Sequence, residues 1–333
     1  MLLALSLITA GILLRQPDRI HFGRNRPHTA AAAELIALQR SRATDWTPTL
    51  LIAGQWVQIA GYWALAAQGL LAAAAAAAGV AVQFRHLQEI SHHAVHGVLA
   101  RTRRVNETLA ALGAHYPLGL APVAVRRRRH VRDHHPAATL ATDPNLAELA
   151  EAGLRPGATR RTFALALFFP ATARGLAVTV STLAANLRPQ PGRYAAAPAV
   201  TLLLIAAYGT GGWSAVLAGV LLPRLLFYPL LAWASLIAEH TWFDAEPRTG
   251  SPAEIEAGRC LRLYPHNRAL AALAAGTWLP YGDLYHYAHS AHPGLRWNYL
   301  PALDRHLPAP HFLAPALFAG PDSVTRRHRT ALA

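Results

Sequence analysis

The chain has 333 residues, 53% of them hydrophobic and only 14% charged, with a formal net charge of +14. A soluble globular domain carries about 25% charged residues, so this shortage of charge points to a membrane protein. The basic excess does not call for nucleic acid, which would want basic stripes on a soluble fold; positive-inside flanking of apolar spans accounts for it. There is no lysine, and the alanine-rich, arginine-only composition fits a GC-rich genome. Cys260 is the one cysteine, which excludes an internal disulfide and fits a reducing, cytoplasm-facing site.

In chain order, Met1 to Leu14 is apolar but short and lacks a basic start. It reads as an interfacial or partly inserted helix rather than a signal peptide. From Leu50 to Phe84 no residue is charged. One span needs about 20 residues, so the stretch predicts two short helices with a turn near Gln68-Gly69. A second stretch, Tyr194 to Ile237, is interrupted only by Arg224, and "YGTGGW" (Tyr208 to Trp213) gives a glycine turn signal. Trp63 and Trp213 lie near the apolar ends, where tryptophan anchors the membrane interface. Arg161 to Leu187 is also apolar, but Pro170 and Arg174 near its middle predict a broken helix along the surface.

The expected fold class is therefore all-α and integral to a membrane. Four transmembrane helices form two hairpins, at about 50–84 and 194–238, with a helical cap. No linker or repeat divides the chain, so 1–333 reads as one domain. Arginines cluster in three blocks: Arg15 to Arg42, Arg101 to Arg129 and Arg326 to Arg329, whereas the hairpin tips are uncharged. Two hairpins put all three blocks, the cap and both termini on the cytoplasmic side. A bacterial cytoplasmic membrane is the expected location. Arg126 to Arg129 would face lipid phosphates.

Histidines gather at the span exits, in the regions at about 86–145 and 240–307. "SHHAVHG" carries His92 and His96, "HVRDHH" carries His130, His134 and His135, "EH" ends at His240, and "YHYAHSAHP" carries His286, His289 and His292. Residues four apart share a helix face, which suits two ligands to one metal for His92–His96 and for His130–His134. One zinc takes four ligands; this many imidazoles fit two metal ions better. Zinc, copper, iron and nickel all accept such ligands. The spans hold no histidine, which argues against a transporter with ionisable groups at mid-bilayer. Ligating histidines pass their other N–H to a carboxylate or carbonyl. Of Glu89, Asp133, Glu239 and Asp283, the reading favours Glu239 and Asp133 as such partners. His86 and His115 are off-pattern and read as surface residues, as do His21, His28, His266, His306, His311 and His328.

The order of these clusters resembles the membrane fatty acid desaturase and hydroxylase superfamily. His92–His96 matches its first histidine box and His130–His134–His135 its second. "TDPN" (Thr142 to Asn145) is similar to the acidic stretch after box two, and His240 to the extra ligand between boxes two and three. Leu279 to Leu307 resembles the closing segment. The resemblance implies a non-haem di-iron centre, O2 as co-substrate, and two reducing equivalents from a separate ferredoxin-like or cytochrome-like donor. It implies a lipid or acyl-carrier substrate, which loses hydrogen to give a double bond. A hydroxylase, a desaturase of a small biosynthetic intermediate, and a catalytically altered metal-binding relative are the alternatives. Two positions depart from the family: His93 stands where box one has an acidic residue, and Ser290 where box three ends in histidine. His292 is the expected replacement, about 60° around a helix from His289, with Pro293 ending that helix; otherwise one iron keeps an open position.

Overall fold

The computed structural model describes residues 1–24, 31–189 and 195–333. Arg26, His28 and Tyr194, singled out in the sequence, lie outside the described residues. Among the described residues the elements are helical apart from two short strands, Leu261–Leu263 and Phe312–Ala314, which pair in parallel. The chain forms two compact units. The first holds Met1–Arg26, Arg40–Arg126 and Leu176–Leu231; the second holds Pro27–Gln39, Arg127–Gly175 and Ala232–Ala333. The backbone passes repeatedly from one to the other, so no single composition shift could mark a boundary.

In the first unit the uncharged stretch divides where the sequence places the turn. Helix Trp46–Ala66 ends, Gln68 and Gly69 turn, and helix Leu70–Val95 begins. Gly69 adopts φ +123, a conformation that a side chain would strain. The two helices pack on each other, and the Gly79 backbone lies so close to the Tyr62 ring that a Cβ there would collide with it. Two of the described helices are long and apolar enough to cross a membrane: Leu70–Val95 and the longer Ala196–Glu239. The longer one is interrupted inside "YGTGGW", where Gly211 and Gly212 leave helical geometry. Trp63 is buried, and its indole N–H donates to the Gly219 carbonyl at 2.9 Å, so it ties helices together instead of anchoring an interface. Trp213 is exposed.

Met1 to Leu14, expected as an interfacial or partly inserted helix, is helical over Leu2–Leu14. Helix Leu2–Leu14 lies antiparallel along Trp46–Ala66 at backbone contact. A Cβ on Gly61 would sit 2.9 Å from the Ala4 carbonyl, and one on Gly54 would sit 2.6 Å from the Gly11 carbonyl. Small residues let membrane helices approach in this way. The Met1 ammonium donates to the Gln68 side chain at 3.3 Å, at the turn. Thirteen residues reach roughly 20 Å, so the helix runs along most of its neighbour. Its Met1 end therefore lies beside the Gln68 turn. Leu2→Cys and Gln68→Cys are expected to react with an impermeant maleimide from the same side of the membrane, and Arg103→Cys from the other. Labelling of Leu2→Cys together with Arg103→Cys would instead place the N terminus on the side of the arginine blocks.

In the second unit, Leu149, Phe163, Trp233, Ile237, Trp242 and Leu261 are core residues. The segment Arg161 to Leu187 is broken as its proline predicts: helices Arg160–Leu167 and Ala173–Leu187 flank a tight turn over Phe169–Ala171. Helix Pro252–Arg259, started by a reciprocal Ser251–Glu254 cap, and the short helix His286–Ala291 frame the histidines.

Candidate metal centre

His92 lies in the last turn of Leu70–Val95, and His96 caps that helix. Their Nε2 atoms are 3.1 Å apart. On its other side His92 Nδ1 meets the Glu89 carboxylate at 2.5 Å, and Glu89 is in turn held by Arg85 at 2.9 Å. All three of Arg85, Glu89 and His92 are buried. This is the carboxylate–histidine arrangement that leaves one ring nitrogen with a lone pair to give to a metal.

In the second unit box two is wound as a π-helix, Arg128–His134, not as an α-helix. The i→i+5 ladder brings residues five apart onto one face. The expected His130–His134 pairing is therefore divided. His130, His135 and His289 place ligand nitrogens within 4.8 Å of one another, whereas His134 does so with Glu239, His240 and His286. The His130 and His289 rings stack, with centroids 6.2 Å apart. His240 Nε2 and His286 Nε2 approach to 3.1 Å. Two nitrogens each about 2.1 Å from one metal would be separated by roughly 3 Å, so this spacing is that of neighbouring ligands.

His134 gives the clearest test of fit. It is fully buried, and its Nδ1–H is shared by the two Asp143 oxygens at 3.0 and 3.1 Å. Its Nε2 is buried without a hydrogen-bond partner. An unsatisfied buried acceptor costs about 1–3 kcal/mol; a metal at this nitrogen removes the cost. Burial, and then the neighbouring His134 and His286, push His135 down to about 3. Burial and the same kind of crowding push His240 well below its ordinary value. Neutral imidazoles are the ligand form, so the residues fit metal.

Asp143, not Asp133, serves His134. Asp133 is exposed on the π-helix. Asp143 is buried and also accepts from the Asn145 and Thr139 backbone N–H groups, at 2.9 and 3.1 Å. It thereby caps helix Pro144–Ala152 and holds Thr139 at φ +65. The Asp-Pro step, a helix-start signal, is the sequence feature that points to it. Glu239 lies in the His134 group itself, closer than the outer position expected for it. Glu89 and Asp283, which the sequence reading ranked lower, stand beside His92 and, at 3.8 Å, beside His286.

His292 joins none of the metal-competent groups among the described residues. Helix His286–Ala291 does end before Pro293, but His292 leaves it with φ −140 and ψ 70, and it is His289 that reaches the other imidazoles. Ser290, in the missing histidine's position, donates its hydroxyl to Glu256 at 2.8 Å. The surface reading also fails for His86, His115 and His328, all of which are buried. His115 and His328 donate to the carbonyls of Ala121 and Ile237, and burial pushes each to about 4.

Two groups of converging imidazoles, with buried carboxylates behind them, form a set of side chains that could hold metal ions. A model of the fatty acid desaturase family matches residues 62–316, and the chain belongs to that family. No curated protein and no solved structure matches the chain.

Asp143→Asn is expected to weaken metal binding roughly 10–100-fold, the usual effect of losing an outer carboxylate. Either amide orientation sets an N–H donor against the N–H groups that Asp143 now accepts. Metal titration of the purified variant checks this; wild-type affinity would remove Asp143 from the centre.

Proposed function

We propose that the protein is an O2-dependent di-iron desaturase that introduces a double bond into a lipid acyl chain. Family membership supports the reaction class. The observation that carries the metal assignment is His134, with Nδ1 fixed by Asp143 and Nε2 buried and unsatisfied. The ligands would come from His130, His135 and His289 and from His134, His240 and His286, with Glu239 beside the second set. The resemblance adds His92 and His96. Iron suits a set of imidazoles and carboxylates without thiolate, since an O2-activating centre would oxidise a coordinating cysteine.

Bound iron would supply the activation of O2. The balance requires two hydrogens from the acyl chain, two electrons from a separate carrier and two protons, to give one alkene and two waters. The protein's own residues hold the centre. Asp143 and Glu89 fix which ring nitrogen of His134 and His92 carries the proton, and burial keeps His135 and His240 neutral. Two apolar helices support a membrane location, and the arginine blocks support a cytoplasm-facing site. Ser290 at the end of box three favours a hydroxylase as the second reading, because one fewer imidazole changes how the centre completes its coordination.

Lipid mass spectrometry of cells with and without the gene, under O2, tests the proposal. A gene-dependent acyl species lighter by two hydrogens is expected. A species heavier by one oxygen would favour the hydroxylase, and no change in lipids would overturn the acyl-chain assignment.

A further inference from the structure

Behind the ligand His240 lies a buried cluster whose other members, Glu256 and Cys260, have no place in the ligand set; the three lie within 4.8 Å of one another. His240 Nδ1 lies 3.4 Å from Cys260 Sγ, and Sγ lies 3.6 Å from Glu256 Oε2. The Ser290 hydroxyl donates to the same Oε2 at 2.8 Å, and Arg259 neutralises the carboxylate from its other oxygen at 3.3 Å. His240 and Cys260 are fully buried, and Glu256 and Ser290 are nearly so. The backbone brings them together. His240 and Cys260 form an antiparallel bridge, and Glu256 stands one helical turn before Cys260.

We propose that Ser290, Glu256 and Cys260 are positioning residues that fix the ring of His240 through a thiol-relayed carboxylate. The inference rests on the metal-centre reading above. His92 and His134 have a carboxylate directly on Nδ1; at His240 a thiol stands between the ring and the carboxylate. The hydrogen bonds run in one direction. The His240 Nδ1–H donates to Sγ, with the Arg259 carbonyl also facing the ring. The thiol S–H donates to Glu256, as does the Ser290 hydroxyl. With its proton on Nδ1, His240 presents the lone pair of Nε2, the atom that stands 3.1 Å from His286 Nε2. Ser290 thus has a role of its own: its hydroxyl donates to the Glu256 carboxylate that stands behind the thiol. The missing box-three histidine and the thiol behind His240 belong to one arrangement.

The test is cobalt titration of the metal-free full-length protein, read by visible absorption, beside the thermal midpoint of each metal-free variant. Wild type is expected to take two cobalt ions. Cys260→Ala and Glu256→Gln should each weaken one of the two sites by about tenfold or more, with the other unchanged. The double variant should be no weaker than either single variant, because both act through one chain of bonds. Cys260→Ser should recover to within about threefold, since a hydroxyl keeps one donor and an acceptor. Should Cys260→Ala fail to fold, the serine variant and Glu256→Gln still decide. Unchanged affinity in folded Cys260→Ala and Glu256→Gln would overturn the proposal. So would a wild-type cobalt–thiolate band lost in Cys260→Ala, which would make the thiol a ligand. A wild type that binds no second cobalt would overturn the two-metal reading and this inference with it.

Discussion

His134→Ala is expected to abolish product formation and to lower bound metal from two ions per chain to one, while the protein still inserts in the membrane. The ring is fully buried, its Nδ1 is committed to Asp143, and its Nε2 has no other use. Alanine removes the ligand and leaves the Asp143 carboxylate facing an empty space. The loss should exceed the roughly 10–100-fold typical of outer partners, because the donor atom itself is gone. The apolar helices do not depend on this residue, so membrane-fraction yield should hold. Assay of product beside metal content in the same preparation checks the prediction. A variant with unchanged product would remove box two from the chemistry.

His289→Ala should be nearly as severe, and His292→Ala mild. His289 is buried and shares its group with His130 and His135. His292 is half-buried, lies past the end of the helix and belongs to no such group among the described residues. Substitution there should leave iron content unchanged and product within roughly twofold, the scale of a change outside a packed or functional site. Iron content and product profile for the two variants, measured together, decide between them. An iron-depleted His292→Ala protein would return that residue to the ligand set.

The helical class, the helix breaks and the family were legible because they rest on local signals. Uncharged length, Gly69 and "YGTGGW" mark helices and their breaks, and imidazoles four apart mark a shared face. What the sequence hid depends on backbone that departs from the regular helix. The His130–His134 spacing assumes an α-helix, and the π-helical turn sends His134 to a different group from His130 and His135. Asp143 is nine residues from His134, so proximity along the chain favoured Asp133, which faces solvent. Cys260 and Glu256 are brought to His240 by a bridge that pairs backbone twenty residues apart. The Leu2–Leu14 helix is too short to read as a span, and only its glycine contacts with Trp46–Ala66 show which helix it packs against.

The central claim is a centre of two irons built on these imidazoles. Elemental analysis of the protein purified from aerobic, iron-supplied cells tests it most directly, with His134→Ala prepared alongside. The account predicts about two iron atoms per chain in the wild type, more imidazoles being gathered than the four ligands one zinc takes, and a clear loss in the variant. One zinc per chain with no second metal would contradict it.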